Sequence, residues 1–301
     1  MSFQKIFVLG AGAIGSSYGA LLSRKNDVTL IGRKDHVEAI KTKGLEVTGD
    51  MQERFFVKAE TEINRIPSDT LILLTTKAHD SAKAIKEIKN LLKNNTVILI
   101  LQNGLGNKEL VKRVVRNKIE VLRGLVTMGA EFSQPGKITL WNGETILEQT
   151  DISRRIAELF NESGLKTRVS NEFEKELWNK LVANCVVNPL TAILRVRDNE
   201  IVADALKEVR HGIIEECVEV GRAEGISLEP DLKELIDKKI LQYTNLSSMC
   251  QDLMKGKRTE IDFLNGRIVE LGRRHHIPTP INETLVSLIK SLEATKWNLT
   301  N

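Results

Sequence analysis

KIFVLGAGAIG, at Lys5–Gly15, decides the fold. Lys5–Gly10 is a short apolar run with β-branched and aromatic residues, closed by glycine, and reads as a buried parallel strand. Gly10-Ala11-Gly12-Ala13-Ile14-Gly15 follows at once, and a helical pattern continues through Leu22. Between a strand and a helix, this GxGxxG is a dinucleotide-binding turn. The first glycine permits the tight turn, the second lets backbone approach a pyrophosphate, and the third lets helix pack on strand. The helix N-terminus, at Ala13 and Ile14, offers unpaired N–H groups to phosphate. The alternative is a tight turn with no ligand. The uncharged run from Ile6 to Ser23 imitates a signal or membrane segment. Its glycines and serines, and its lack of a cleavage site, favour strand, turn and helix instead.

Working outward, Asp27–Gly32 (DVTLIG) is the second strand, and the residues after it choose the cofactor. An NAD site usually places Asp or Glu there for the ribose hydroxyls. Here Arg33 and Lys34 follow, and a cation pairs with a 2′-phosphate, which favours NADP(H). The alternative leaves Arg33 and Lys34 as solvated charges and gives the acidic role to Asp35. Thr70–Thr76 and Thr96–Leu101 are further buried strands, ending at Lys77 and at Gln102-Asn103-Gly104. Ligands of open α/β sheets bind off the carboxyl ends of strands, so Lys77 could meet an anion and Asn103 a carbonyl or amide. Each could equally be a cap or turn residue. Val121–Met128 is a further strand, and Lys137–Trp141 and Glu144–Leu147, punctuated by Pro135-Gly136 and Asn142-Gly143, predict an antiparallel meander. A helix over Ile152–Ser163 and a short strand over Lys166–Val169 follow. From Ser170-Asn171 to Trp297 the pattern is helical. The expected division is therefore residues 1–170, an α/β Rossmann-type domain, and residues 171–301, an all-α domain.

The helical half opens with ELWNKLVANCVVNPLTAI at Glu176–Ile193. Lys180, Asn184 and Asn188 recur every four residues and form one polar stripe on an otherwise aliphatic helix. Pro189 should end or kink that helix near Asn188. The stripe is either a set of internally satisfied core polar groups with a snorkelling lysine, or a wall that faces a small polar ligand and readies Lys180 as a proton donor. Further on, Ser247 and Ser248 precede Met249, and Glu260 and Asp262 stand at the start of an amphipathic helix with Thr259 as its cap.

Composition narrows the class. The formal charge is +4 with both signs interspersed, which argues against nucleic acid as the main partner. Cys185, Cys217 and Cys250 are scattered, with no CxxC, giving neither a disulfide framework nor a zinc site. This fits a reducing cytosol. The five histidines show no metal-ligand spacing, so no metal is expected. No membrane partner is expected, and the sequence is compatible with a homodimer.

Taken in order, GAGAIG, the Lys77 strand end, QNGLG at Gln102–Gly106, KLVANCVVNPLTAI at Lys180–Ile193, and SSMCQDL with TEIDFLNG at Ser247–Gly266 resemble the ketopantoate reductase family. The resemblance covers nearly the whole chain. It implies reduction of 2-dehydropantoate by NADPH, in the route to pantothenate and coenzyme A. It implies Lys180 as the catalytic proton donor, with Glu260 assisting and contacting cofactor. Asn103, Asn184, Asn188 and Ser248 would contact substrate. Gly10, Gly12, Ala13, Ile14, Gly15, Arg33, Lys77 and Asn103 would hold the cofactor. One departure stands out: the family often has Asn-Gly-Glu-Leu after the lysine helix, whereas this chain has Asp198-Asn199-Glu200-Ile201. Two alternatives remain: a reductase of another branched 2-oxo acid or β-hydroxyacid, and a non-enzymatic NADP(H) sensor.

Overall fold

The computed structural model describes residues 3–115 and 119–295. Trp297, the expected end of the helical pattern, lies outside them. The chain divides into two compact units: Met1–Gln102 with Gly106–Phe173, and Asn103–Leu105 with Glu174–Asn301.

The first unit runs β1 (Lys5–Leu9), α1 (Ala13–Leu22), β2 (Val28–Ile31), α2 (Lys34–Lys43), β3 (Leu45–Gly49), β4 (Glu53–Phe55), β5 (Lys58–Glu60) and β6 (Thr70–Leu74). It continues with α3 (Ser81–Ile88), β7 (Val97–Ile100), α4 (Asn107–Val115), β8 (Glu120–Val126), β9 (Gly129–Gln134), β10 (Lys137–Trp141), β11 (Thr145–Glu148), α5 (Asp151–Glu162) and β12 (Thr167–Ser170). Eight strands form one sheet in the order β12-β11-β8-β7-β6-β1-β2-β5. From β8 to β5 every neighbouring pair is parallel. The central strands β1, β6 and β7 are apolar and buried almost throughout, as strands covered on both faces must be. The register Leu9↔Leu74 and Leu74↔Ile100 brings the ends of β1, β6 and β7 level, so the loops that follow them emerge side by side.

The expected meander does not form. β10 pairs with β9 and β3 in a separate four-stranded sheet, β4-β3-β10-β9, whereas β11 pairs with β8 and β12 in the large sheet. Pro135-Gly136 does turn a hairpin, between β9 and β10. Asn142-Gly143 instead hands the chain from one sheet to the other. Asn142 N–H donates to Asp50 Oδ2 (2.8 Å), and a Cβ on Gly143 would collide with the backbone of Met128. A two-residue turn signal specifies a reversal, not which strand is joined on the far side.

The second unit carries α6 (Phe173–Leu194), α7 (Lys207–Ala223), α8 (Leu232–Ile240), α9 (Ser248–Met254), α10 (Asn265–Arg274) and α11 (Pro280–Ala294), with short 3-10 turns between them. Trp178, Leu181, Val182, Val186, Ile213, Ile214, Ile268 and Ile289 share its core. Pro189 neither ends nor terminates α6, which continues to Leu194. Proline supplies no N–H to the carbonyl four residues back. That carbonyl, Cys185 O, takes a hydrogen bond from Asn265 Nδ2 instead (2.9 Å). Asn265 is fully buried at the start of α10, so a tertiary contact removes part of the local cost that the sequence alone suggests.

Candidate functional site

In the first unit the glycine loop has three different glycines. Gly10 has φ +115°, and a Cβ there would stand 2.5 Å from Thr76 N. Its carbonyl is pinned by Thr75 Oγ1 from the end of β6 (2.8 Å). A Cβ on Gly15 would overlap the Gly10 carbonyl oxygen and lie 2.6 Å from Thr75 Oγ1. Gly12, the N-cap of α1, is exposed with φ −80°, and a Cβ there would meet nothing within 4 Å. Gly10 and Gly15 therefore make the turn, and Gly12 leaves open space in front of the helix N-terminus. The first amides of α1, at Ala13, Ile14 and Gly15, have no partner within the helix by its geometry. There is no acid in the first turn of α1 to compete with an anion. This cradle fits a pyrophosphate.

Arg33 is exposed at the N-cap position of α2, directly after β2 and Gly32. Lys34 stands 3.8 Å from Glu38, and Asp35 is exposed in the first turn. Lys77 is half-buried and heads the 3-10 turn Ala78–Asp80 after β6. Gln102, buried at the end of β7, donates from Nε2 to Thr76 O (2.6 Å) and hydrogen-bonds Ser81 Oγ. It ties together the two strand ends that lead to Lys77 and Asn103.

In the second unit the polar stripe is graded by depth. Lys180 and Asn184 are half-buried and Asn188 is buried. Lys180 Nζ donates to Asn103 Oδ1 at 2.9 Å. Asn103 belongs to the three-residue segment Asn103–Leu105 that clusters with this unit. Leu105 N–H donates to Phe263 O (2.9 Å), and Gly104, φ +80°, lies so close to Phe263 that a Cβ could not fit. Phe263 ends the 3-10 turn Ile261–Phe263, and Glu260 is its N-cap residue, only 8% exposed. The structure thus brings Lys180 and Asn103 together and docks the Asn103 segment on the turn that begins at Glu260. Thr259 does not cap the helix as expected: its Oγ1 accepts from Ile261 N–H (3.2 Å) inside the turn capped by Glu260, and the helix proper starts only at Asn265, after Leu264 as its N-cap. Ser247 is the N-cap of α9, accepting from Cys250 N–H (3.1 Å) and hydrogen-bonded to Thr191 Oγ1 of α6 (2.7 Å). Ser248, next along, is exposed.

Asp198 is buried, with Asn245 Nδ2 donating to its Oδ2 (2.8 Å) and its own N–H donating to Asn245 O (3.0 Å). Burial pushes its carboxyl up from 3.8 to about 6, against the lowering effect of Asn245 and the Ser247 amide. Between these values the folded protein holds a proton that the unfolded chain has lost. The contribution of this group to stability therefore falls as pH rises from about 4 to about 6, and is lowest above that. Asp198→Asn keeps an acceptor for Asn245 and removes the ionisation. It should stabilise the protein at pH 8 by about 1–3 kcal/mol and change little at pH 4. Melting curves of the two proteins across this range check it, and a pH-independent difference would refute it.

Among the residues that sequence reading did not single out, Gln102 sits inside the same QNGLG motif as Asn103. His36, noted only for lacking metal-ligand spacing, is buried three residues beyond Arg33. Among the described residues no group of three His, Cys, Asp or Glu side chains is arranged to hold a metal ion. No helix there is long and apolar enough to cross a membrane.

Two family models match the chain: ketopantoate reductase PanE/ApbA over residues 6–151, and its C-terminal counterpart over residues 172–293. A 2-dehydropantoate 2-reductase of Pyrococcus horikoshii is 36% identical, the match covering 97% of this chain and 98% of the relative. The crystal structure of a PanE/ApbA family ketopantoate reductase from Ralstonia eutropha JMP134 superposes with a TM-score of 0.92 at 33% identity, covering 97% of this chain and 99% of that one. A D-mandelate dehydrogenase complexed with NADH and anilino(oxo)acetate superposes at 0.88 and 28% identity, covering 97% and 99%. With both halves matched in order and a relative above 30% identity along its whole length, this chain belongs to the ketopantoate reductase family.

Proposed function

We propose that this protein reduces 2-dehydropantoate to pantoate with NADPH. The first unit would hold the cofactor, and the second would hold the substrate and the acid. The observation that carries the reading is the 2.9 Å bond from Lys180 Nζ to Asn103 Oδ1 on a polar stripe in an aliphatic helix. Gly10, Gly12 and Gly15 with the first amides of α1 would hold NADPH, which would supply the hydride for the C2 carbonyl. The carbonyl oxygen then takes on negative charge and must be protonated. A lysine ammonium beside that oxygen supplies both charge and proton. Asn103 aims it by accepting one of its hydrogens, and Glu260, kept from water on the docked turn, is the supporting carboxylate. Asn184, Asn188 and Ser248 hold the substrate's polar groups without adding repulsive charge. Spectrophotometric oxidation of NADPH with 2-dehydropantoate tests the reading, and no turnover with this substrate overturns it.

Arg33, exposed where an acid would serve NAD, is the cation for the 2′-phosphate. Arg33→Ala should weaken NADPH binding by about 1.5–3 kcal/mol, the scale of a charge-assisted hydrogen bond, and leave NADH nearly unchanged. Titrations of both cofactors check this; equal affinity of the unaltered protein for the two would sink it.

A second reading, reduction of another 2-oxo acid, is favoured by Asp198 in place of the family's usual asparagine and by the likeness to a D-mandelate dehydrogenase. A panel that includes phenylglyoxylate and aliphatic branched 2-oxo acids separates the two by kcat/KM. The three cysteines are free and buried, which suits a reducing compartment.

A further inference from the structure

We infer that His36 is a positioning residue that fixes Arg33 relative to the glycine loop. The inference rests on the reading that these two features hold NADPH. His36 lies buried in the first turn of α2. Gly136 N–H donates to its Nδ1 (2.9 Å), which must therefore carry the lone pair. The ring proton is then on Nε2, and it is donated to Ser16 Oγ (3.0 Å). Ser16 is fully buried in the first turn of α1, and its own N–H donates to Gly12 O (2.9 Å). One line of hydrogen bonds thus runs from Gly12 through Ser16 to His36, one helical turn from Arg33.

Gly136 gives the line a third anchor. It sits at φ +78° in the β9–β10 hairpin, and its carbonyl accepts from Glu46 N–H (2.8 Å). The Phe132 ring of the same hairpin stands 4.8 Å from the imidazole, tilted by 57°. Both ring bonds need the neutral tautomer, because an imidazolium would turn an N–H toward the Gly136 N–H. Burial holds the ring neutral, pushing it down to about 4. A dinucleotide with a 2′-phosphate spans both features, so an error in their spacing weakens the phosphate contact at Arg33. NADH has no phosphate there and senses the error less.

Three variants separate positioning from general support. His36→Gln places an amide N–H near the Nε2 position and can keep the Ser16 bond. His36→Asn places its oxygen near Nδ1 and keeps only the Gly136 bond. Ser16→Ala removes the acceptor alone. Loss of one buried hydrogen-bond partner should raise KM for NADPH roughly tenfold in His36→Asn and Ser16→Ala, with His36→Gln staying within about threefold. In all three kcat and the KM for NADH should stay close to those of the unaltered protein, so the preference for NADPH narrows. Melting curves accompany the kinetics. Equal rises in KM for NADPH and NADH, or Gln and Asn variants that behave alike, would show His36 to be ordinary packing and overturn the inference. Failure of the unaltered protein to bind NADPH would instead remove the cofactor reading, and the inference with it.

Discussion

Lys180→Ala should lower kcat with 2-dehydropantoate by roughly two to four orders of magnitude, the usual range for a positioned acid. NADPH affinity should change little, since Lys180 is not itself a proposed cofactor contact and the glycine loop, Arg33 and Lys77 lie in the other unit. The bond to Asn103 adds a complication, because alanine also deprives Asn103 Oδ1 of its donor at 2.9 Å. Lys180→Gln resolves it. Glutamine can still donate to Asn103, but it carries neither a positive charge nor a transferable proton. If the lysine is the acid, Gln is as inactive as Ala. If the lysine merely orders Asn103, Gln recovers most of the turnover. Glu260→Ala should harm less alone, and the double variant should fall well short of the product of the two losses, because residues that act as a unit are not additive. Near-normal turnover in Lys180→Ala would return the stripe to core packing.

The Rossmann-type half was legible because its signals are local. An apolar run closed by GxGxxG gives strand, turn and helix within Lys5–Leu22, and TLILL and VILI are too apolar to be anything but buried strands. The polar stripe of α6 was legible for the same reason, since a four-residue spacing is a helix property. What escaped depended on distant partners. The continuation of α6 past Pro189 depends on Asn265, seventy-six residues later, satisfying Cys185 O. The split of β10 and β11 between two sheets depends on Asp50 and Met128 around the Asn142-Gly143 turn. The neighbourhood of Asn103 depends on Phe263. His36 carries no motif at all, and its role follows only from Gly136 lying one hundred residues away. Asp198 lay between: the sequence marked it as a departure, but its burial and its bond to Asn245 are tertiary facts.

Gly12→Val should abolish detectable NADPH binding at ordinary concentrations and leave the protein folded. The three glycines of the loop differ in what a side chain would strike. At Gly10 and Gly15 it strikes this chain's own backbone, and Gly10 also needs a positive φ, so valine at either position should cost the fold itself. At Gly12 the backbone is extended, with φ −80° and ψ −163°, a conformation that valine accepts, and the added Cβ meets nothing. The local cost is limited to a poorer N-cap, about 1 kcal/mol or less. The empty space is where a pyrophosphate must approach the amides of Ala13, Ile14 and Gly15. Filling it with two methyl groups pushes the phosphates off those donors, and loss of even two such charge-assisted bonds, about 3–6 kcal/mol, weakens binding by two to four orders of magnitude. Fluorescence titration with NADPH, beside melting curves for Gly12→Val and Gly15→Val, reads both halves of the prediction. Normal binding by Gly12→Val would mean that the loop only joins β1 to α1. An unfolded Gly12→Val beside a folded Gly15→Val would reverse the roles assigned here to the two glycines.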